Sequence, residues 1–163
     1  MATMTWEEIC EDPNLRDLPY KIEQDRYGRI LMSPTSFGHS RRQGEIYYLL
    51  RTLLPGWVIA TECGVETAEG VRVPDVAATK NRAPNWNDIY SLPVAPEICV
   101  EVLSGSNRPQ ELEEKRRLLG ERGCREFWVC SKDGKIAFLD AGTGEALAGS
   151  AICPKFPFRL DLD

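Results

Sequence analysis

Two hydrophobic periods divide the chain. From His39 to Leu54 the apolar residues Ile46, Leu49, Leu50 and Leu53 recur at steps of three and four, and Pro55-Gly56 ends the run, which predicts a helix. Thr5 followed by Glu8 reads as a capping box, so a short N-terminal helix is expected to end near Asp12-Pro13. Residues 20–23 and 29–33 flank Asp25-Arg26-Tyr27-Gly28 and predict a hairpin. Residues 57–67 and 71–79 are β-rich runs joined by Ala68-Glu69-Gly70, and residues 97–103 form an almost continuous apolar run holding one acid. Pro109 suits the first turn of a helix ending at Gly123, and residues 126–130 and 135–139 flank an Asp133-Gly134 turn. The Pro- and Asn-rich stretch 81–96 reads as a surface loop. The pattern predicts an α/β protein with a mixed sheet carrying helices on its faces.

Composition narrows this little. The 163 residues are 42% hydrophobic, the range of a globular protein, and fit a single domain over residues 1–163. No apolar run is long enough to span a bilayer and the acidic N-terminus is unlike a signal peptide, so a cytoplasmic protein is expected. The six cysteines contain no CxxC pair and there is one histidine, His39, which disfavours zinc or thioredoxin-like chemistry and suggests reduced core cysteines. A net charge of −5 gives no global attraction for nucleic acid, so a polyanion would have to meet a local basic patch.

Carboxylates and lysines are left to carry chemistry. Glu101 sits in the middle of an apolar strand, where an unpaired carboxylate would cost several kcal/mol. It must pair with a cation, take up a proton or lie at a water-accessible mouth. A structural salt bridge to an arginine and a functional carboxylate are equally compatible with that. Asp75, after Pro74, shares strand parity with Val73 and Ala77, and aspartate is depleted in strands, although one after a proline also suits a turn. Lys115 lies about 60° from Leu112 and about 40° from Leu119 on the helical wheel, within the inward stripe, where it either snorkels to water or meets acids. Glu45 lies about 40° from Leu49 and borders the buried stripe of its helix, though taken alone a solvated glutamate pairing with Arg41 or Arg42 explains it better.

Two strand acids, an inward lysine and a helix glutamate suit a hard divalent cation, Mg2+ or Mn2+, which takes oxygen ligands and keeps waters that a phosphate can replace. The matching chemistry is hydrolysis of a phosphodiester.

Pro74-Asp75 followed by Glu101-Val102-Leu103 resembles the PD-(D/E)XK nuclease superfamily, with Leu103 standing where that motif has lysine. Glu101-Val102-Leu103-Ser104, Asn107, Glu111, Lys115 and residues 123–129 are similar to one bacterial branch, the Uma-two (Uma2) family of restriction-endonuclease-like proteins, in which the lysine has moved to the following helix. Gly105 and Arg108 depart from the loop residues of that family. The resemblance implies a three-layer α/β/α restriction-endonuclease-like core with a mixed central sheet and an additional N-terminal β-hairpin. It implies metal held by Asp75, Glu101 and the backbone carbonyl of Val102, Lys115 as base or electrostatic stabiliser, and Glu45 acting through water. The implied partner is nucleic acid, double-stranded DNA in particular.

A homodimer is expected because two sites suit two strands and two-fold dimers are the commonest assembly. Arg41, Arg42, Arg51, Arg72, Arg82, Arg108, Arg116 and Arg117 are candidates for a positive rim. His39 and Ser104 read as helix-start and loop-capping residues, and Tyr47, Trp57 and Trp86 as packing residues. The competing functions are a catalytically inactive binding or regulatory module of the same fold and a hydrolase of another phosphate ester.

Overall fold

A computed structural model describes residues 3–105 and 107–163. Its helices are α1 (Trp6–Glu11), α2 (Phe37–Leu53) and α3 (Pro109–Glu121). Its strands are β1 (Tyr20–Asp25), β2 (Ile30–Pro34), β3 (Val58–Thr61), β4 (Val65–Thr67), β5 (Gly70–Arg72), β6 (Val76–Thr79), β7 (Ile98–Val102), β8 (Glu126–Cys130) and β9 (Ile136–Asp140). The predicted capping box is in place. Thr5 and Glu8 form a reciprocal capping box on α1, and Ser36 caps α2 through the amide of His39. Pro109 opens α3, where its missing N–H has no helical acceptor to lose.

Where the sequence suggests one sheet, the structure has two. A five-stranded sheet runs β3-β6-β7-β8-β9, mixed because β7 and β8 are parallel, and a four-stranded antiparallel sheet runs β2-β1-β5-β4. Each of the two long β-runs breaks in the middle. Residues 57–67 bend at Glu62, which adopts a φ of 51°, and residues 71–79 bend at Val73-Pro74-Asp75. The halves β3 and β6 pair in the large sheet and β4 and β5 in the small one, so this bent ribbon joins the two sheets. The N-terminal hairpin is part of the small sheet, where Asp25 pairs with Gly70. Gly70 has a φ of +90°, and a Cβ there would lie 2.1 Å from the carbonyl oxygen of Gln24, so only glycine permits that approach.

The two faces of the large sheet are covered differently. Ile98, Val100 and Val102 of β7, with Val76 and Ala78 of β6, pack with Ile46 and Leu50 of α2 and with its C-cap residue Leu54. The alternate residue Cys99 faces the other cluster, with Leu119 of α3, Phe127 and Val65. A helix, sheet, helix sandwich results, and Glu101 shares the α3 side with Cys99. Burying a large aliphatic side chain contributes about 1.5–3 kcal/mol. Among the described residues, no helix is long and apolar enough to cross a membrane.

Candidate metal and nucleic-acid site

The register of β6 and β7 places Val76 opposite Val100, so one further step sets Asp75 opposite Glu101. Asp75 occupies the bend between the two sheets and lies just ahead of β6, rather than inside a strand as its parity with Val73 and Ala77 suggested. Its amide still bonds the carbonyl of Val100 at 3.0 Å. The side chain is fully buried. Its Oδ2 accepts the amide of Val102 at 2.7 Å and lies 3.4 Å from Nε2 of His39. Val102, expected to offer its carbonyl, thus also holds the aspartate through its N–H.

Oδ1 of Asp75 faces the ammonium of Lys21 at 2.9 Å, and Oε1 of Glu101 approaches the same ammonium at 2.6 Å. One buried cation therefore bridges the two acids. Lys115 reaches in from α3 and donates to Oε1 of Glu101 at 2.9 Å, Oε1 of Glu23 at 2.7 Å and the carbonyl of Val73 at 2.9 Å. Glu23 also accepts the amide of Val73 at 2.7 Å. Oε2 of Glu101 is buried without any hydrogen-bond partner, as is Nδ1 of His39.

The charges resolve unequally. Burial pushes the Glu101 carboxyl up, and the neighbouring Asp75 adds to the rise against the pull of Lys115 and Lys21. Burial acts the same way on Asp75, but the hydrogen bond from His39 and the two ammoniums outweigh it and hold its carboxyl well below the usual range. Glu23 is likewise lowered, its burial being outweighed by Lys115 and Lys21. Desolvation opposes charge on Lys21, yet Glu101, Asp75 and Glu23 raise its ammonium above the ordinary lysine value.

The structure thus gathers three of the four side chains singled out from the sequence: Asp75, Glu101 and Lys115. Lys115 is buried and paired, which answers whether it snorkels to water, and Glu101 is paired with lysines rather than with an arginine. Glu45 is half-buried on α2, the helix covering the face of the sheet opposite Glu101, and makes no hydrogen bond or ion pair with these acids among the described residues. Lys21 and Glu23 are additional members of the site. Their sequence signal is the alternation Lys21, Glu23, Asp25, which puts three charges on one face of β1.

A cleft of about 810 Å3 opens from Glu101, Lys21 and Lys115 between the β1–β2 hairpin and the start of α3. Arg26, Arg29, Arg72 and Arg108 line it, together with Asp25, Glu69, Glu111 and Glu114, so its wall carries both signs. Four of the eight arginines expected at a positive rim are engaged elsewhere. Arg42 donates to the carbonyls of Leu103 and Lys132, Arg116 pairs with Glu113 and also donates to the Ala141 carbonyl, and Arg41 and Arg82 bond the carbonyls of Leu162 and Gly56. Ser104 closes the loop after β7 by donating to Asn107 at 2.9 Å.

Convergence of Asp75 and Glu101 on one cation, and the orphaned second oxygen of Glu101, fit a small hard cation. Among the described residues no three His, Cys, Asp or Glu side chains form a metal cage. Magnesium needs none, since one or two carboxylates with water and substrate phosphate commonly hold it.

Known proteins resemble the chain in sequence pattern and in fold. The sequence model of a family, Uma2, described as "Putative restriction endonuclease", matches residues 7–146. No curated protein matches the chain. Among solved structures, the crystal structure of a "putative nuclease belonging to DUF820" from Anabaena variabilis is similar in fold, with a TM-score of 0.72 and 14% identity over 96% of this chain and 94% of that one.

Proposed function

The chain belongs to the Uma2 family, and from that membership and the Asp75–Glu101 pair we propose that it is an endonuclease that hydrolyses phosphodiesters of double-stranded DNA with Mg2+ or Mn2+. The family and the structural neighbour support a nuclease, and restriction-endonuclease-like families generally use divalent metals. The observation that carries the reading is that Asp75, at the bend before β6, and Glu101 of β7 direct one oxygen each at a single buried cation position, beside the lysine of α3.

Asp75, Glu101 and the Val102 carbonyl would hold the metal, and Glu45 would reach it only through water. When bound, the cation polarises the phosphoryl group and lowers the pKa of the attacking water. Val102 and His39 fix the rotamer of Asp75, so the ligand is set before substrate arrives. All three protons of the Lys115 ammonium have acceptors, namely Glu101, Glu23 and the Val73 carbonyl. This supports electrostatic stabilisation of the developing phosphoryl charge over a role as base. We extend the proposal to a homodimer, whose two sites suit two strands. Six free cysteines among the described residues agree with a cytoplasmic setting.

Nicking of a supercoiled plasmid with Mg2+ or Mn2+ tests the reading. Cleavage should stop with EDTA and in Asp75→Asn and Glu101→Gln proteins whose thermal unfolding remains cooperative. Undiminished cleavage by those variants would overturn it. One observation favours a second reading: Lys21 already satisfies an oxygen of each acid, as in a nuclease-fold binding module without activity. That reading expects neither cleavage nor Mn2+ binding.

A further inference from the structure

The bridging position of Lys21 is unaccounted for by the nuclease reading, because a metal held by Asp75 Oδ1 and Glu101 Oε1 needs the same space. Resting on that reading, we propose that Lys21 is a tethered stand-in for the divalent cation, which loads only as the Lys21 ammonium swings out into the cleft. Three observations carry this.

The first is steric. The ammonium lies 2.9 Å from one acid and 2.6 Å from the other, so it fills the point on which both converge. The second is charge balance. With Lys21 withdrawn, the carboxylates of Asp75, Glu101 and Glu23 against the Lys115 ammonium leave two formal negative charges, the complement of one dication. Lys115 is not the exchangeable group, since a backbone carbonyl and Glu23 hold it as well. The third is a destination. Lys21 lines the large cleft together with Ser104, Asn107 and Arg108, where a phosphodiester would give the displaced ammonium a new partner. Metal loading and polyanion binding then reinforce one another, and by linkage the effect is reciprocal.

Mn2+ binding measured by the loss of its free EPR signal, without nucleic acid, tests the exchange. Lys21→Met, which keeps the stem and removes the charge, is expected to bind Mn2+ about tenfold or more tightly than wild type, since the competing state is removed. Lys21→Arg, which keeps a competing cation, should not gain. Wild-type protein supplies a test independent of any variant's folding. Acylation of lysines followed by mass spectrometry should find Lys21 protected in EDTA and labelled with saturating Mn2+, while Lys115 stays protected. Equal Mn2+ affinity in wild type and Lys21→Met, with Lys21 protected throughout, would overturn the exchange and leave the nuclease reading standing. Mn2+ binding by neither protein would overturn both.

Discussion

Glu101 and Glu126 stand on neighbouring strands of the same sheet and are buried to nearly the same degree, 3% and 4% exposed, yet their surroundings differ in kind. Both oxygens of Glu126 are saturated by neutral, fixed donors: the Trp128 indole at 2.9 Å, the Ser150 hydroxyl at 2.6 Å, and the amides of Ala151 and Ile152 at 2.8 and 3.1 Å. This carboxylate fastens the irregular C-terminal segment to β8. Glu101 instead has one oxygen shared by two lysine ammoniums and the other with no partner. Burial of a carboxylate thus says little about its role. Saturation by dipoles marks a structural acid, whereas exchangeable cations and an unfilled oxygen mark one available to a ligand.

The contrast breaks most sharply in activity. Glu101→Gln and Asp75→Asn are expected to lower plasmid cleavage by about a thousandfold, the size of losing a preorganised group that stabilises the transition state. Glu126→Gln should leave the rate per folded molecule unchanged, and initial rates corrected by active folded fraction decide between them. Lys115→Ala comes next, with an expected loss of about 10²–10³ in kcat and little change in KM, the size of losing one electrostatic stabiliser.

Stability should show the reverse order. Glu126→Ala strands several buried donors, each costing about 1–3 kcal/mol, so urea denaturation should find it about 3–5 kcal/mol less stable. Glu101→Gln, which keeps a side-chain oxygen to accept from the two lysines, should cost less than that. The smallest expected effect is in pH dependence of the metal-free protein. A carboxyl lowered on folding, as Asp75 is, adds stability that is complete above the ordinary aspartate range and lost as pH falls through its folded value. The acid limb of a urea stability profile should therefore flatten in Asp75→Asn. Lys21, raised on folding, adds stability that is complete below the ordinary lysine range and lost only at higher pH, so it should leave that limb alone.

Asp75, Glu101 and Lys115 were legible in the sequence because each broke a local rule: an acid inside an apolar strand, an acid after a strand proline, a lysine in an inward helical stripe. Lys21 and Glu23 break none, since alternating charges in a hairpin strand also describe a solvent-exposed face. Only the pairing of β1 with β5, which turns that face toward the bent ribbon, makes them internal. Glu45 illustrates the limit of a helical wheel. The wheel shows that a residue borders the sheet side of its helix but not which face of the sheet that helix covers. The division into two sheets was hidden for a related reason. Gly64 and Pro74 mark interruptions near Glu62 and at Val73 to Asp75, but a local break does not say that the two halves join different sheets. Glu126 drew no notice, as a glutamate opening a strand is ordinary until the C-terminal segment folds over it.

The most direct measurement is anomalous diffraction from a crystal equilibrated with Mn2+. The account predicts a peak touching both Asp75 and Glu101, with the Lys21 ammonium withdrawn into the cleft and Lys115 unmoved. A map with no peak there, and Lys21 still joining the two acids, would contradict it.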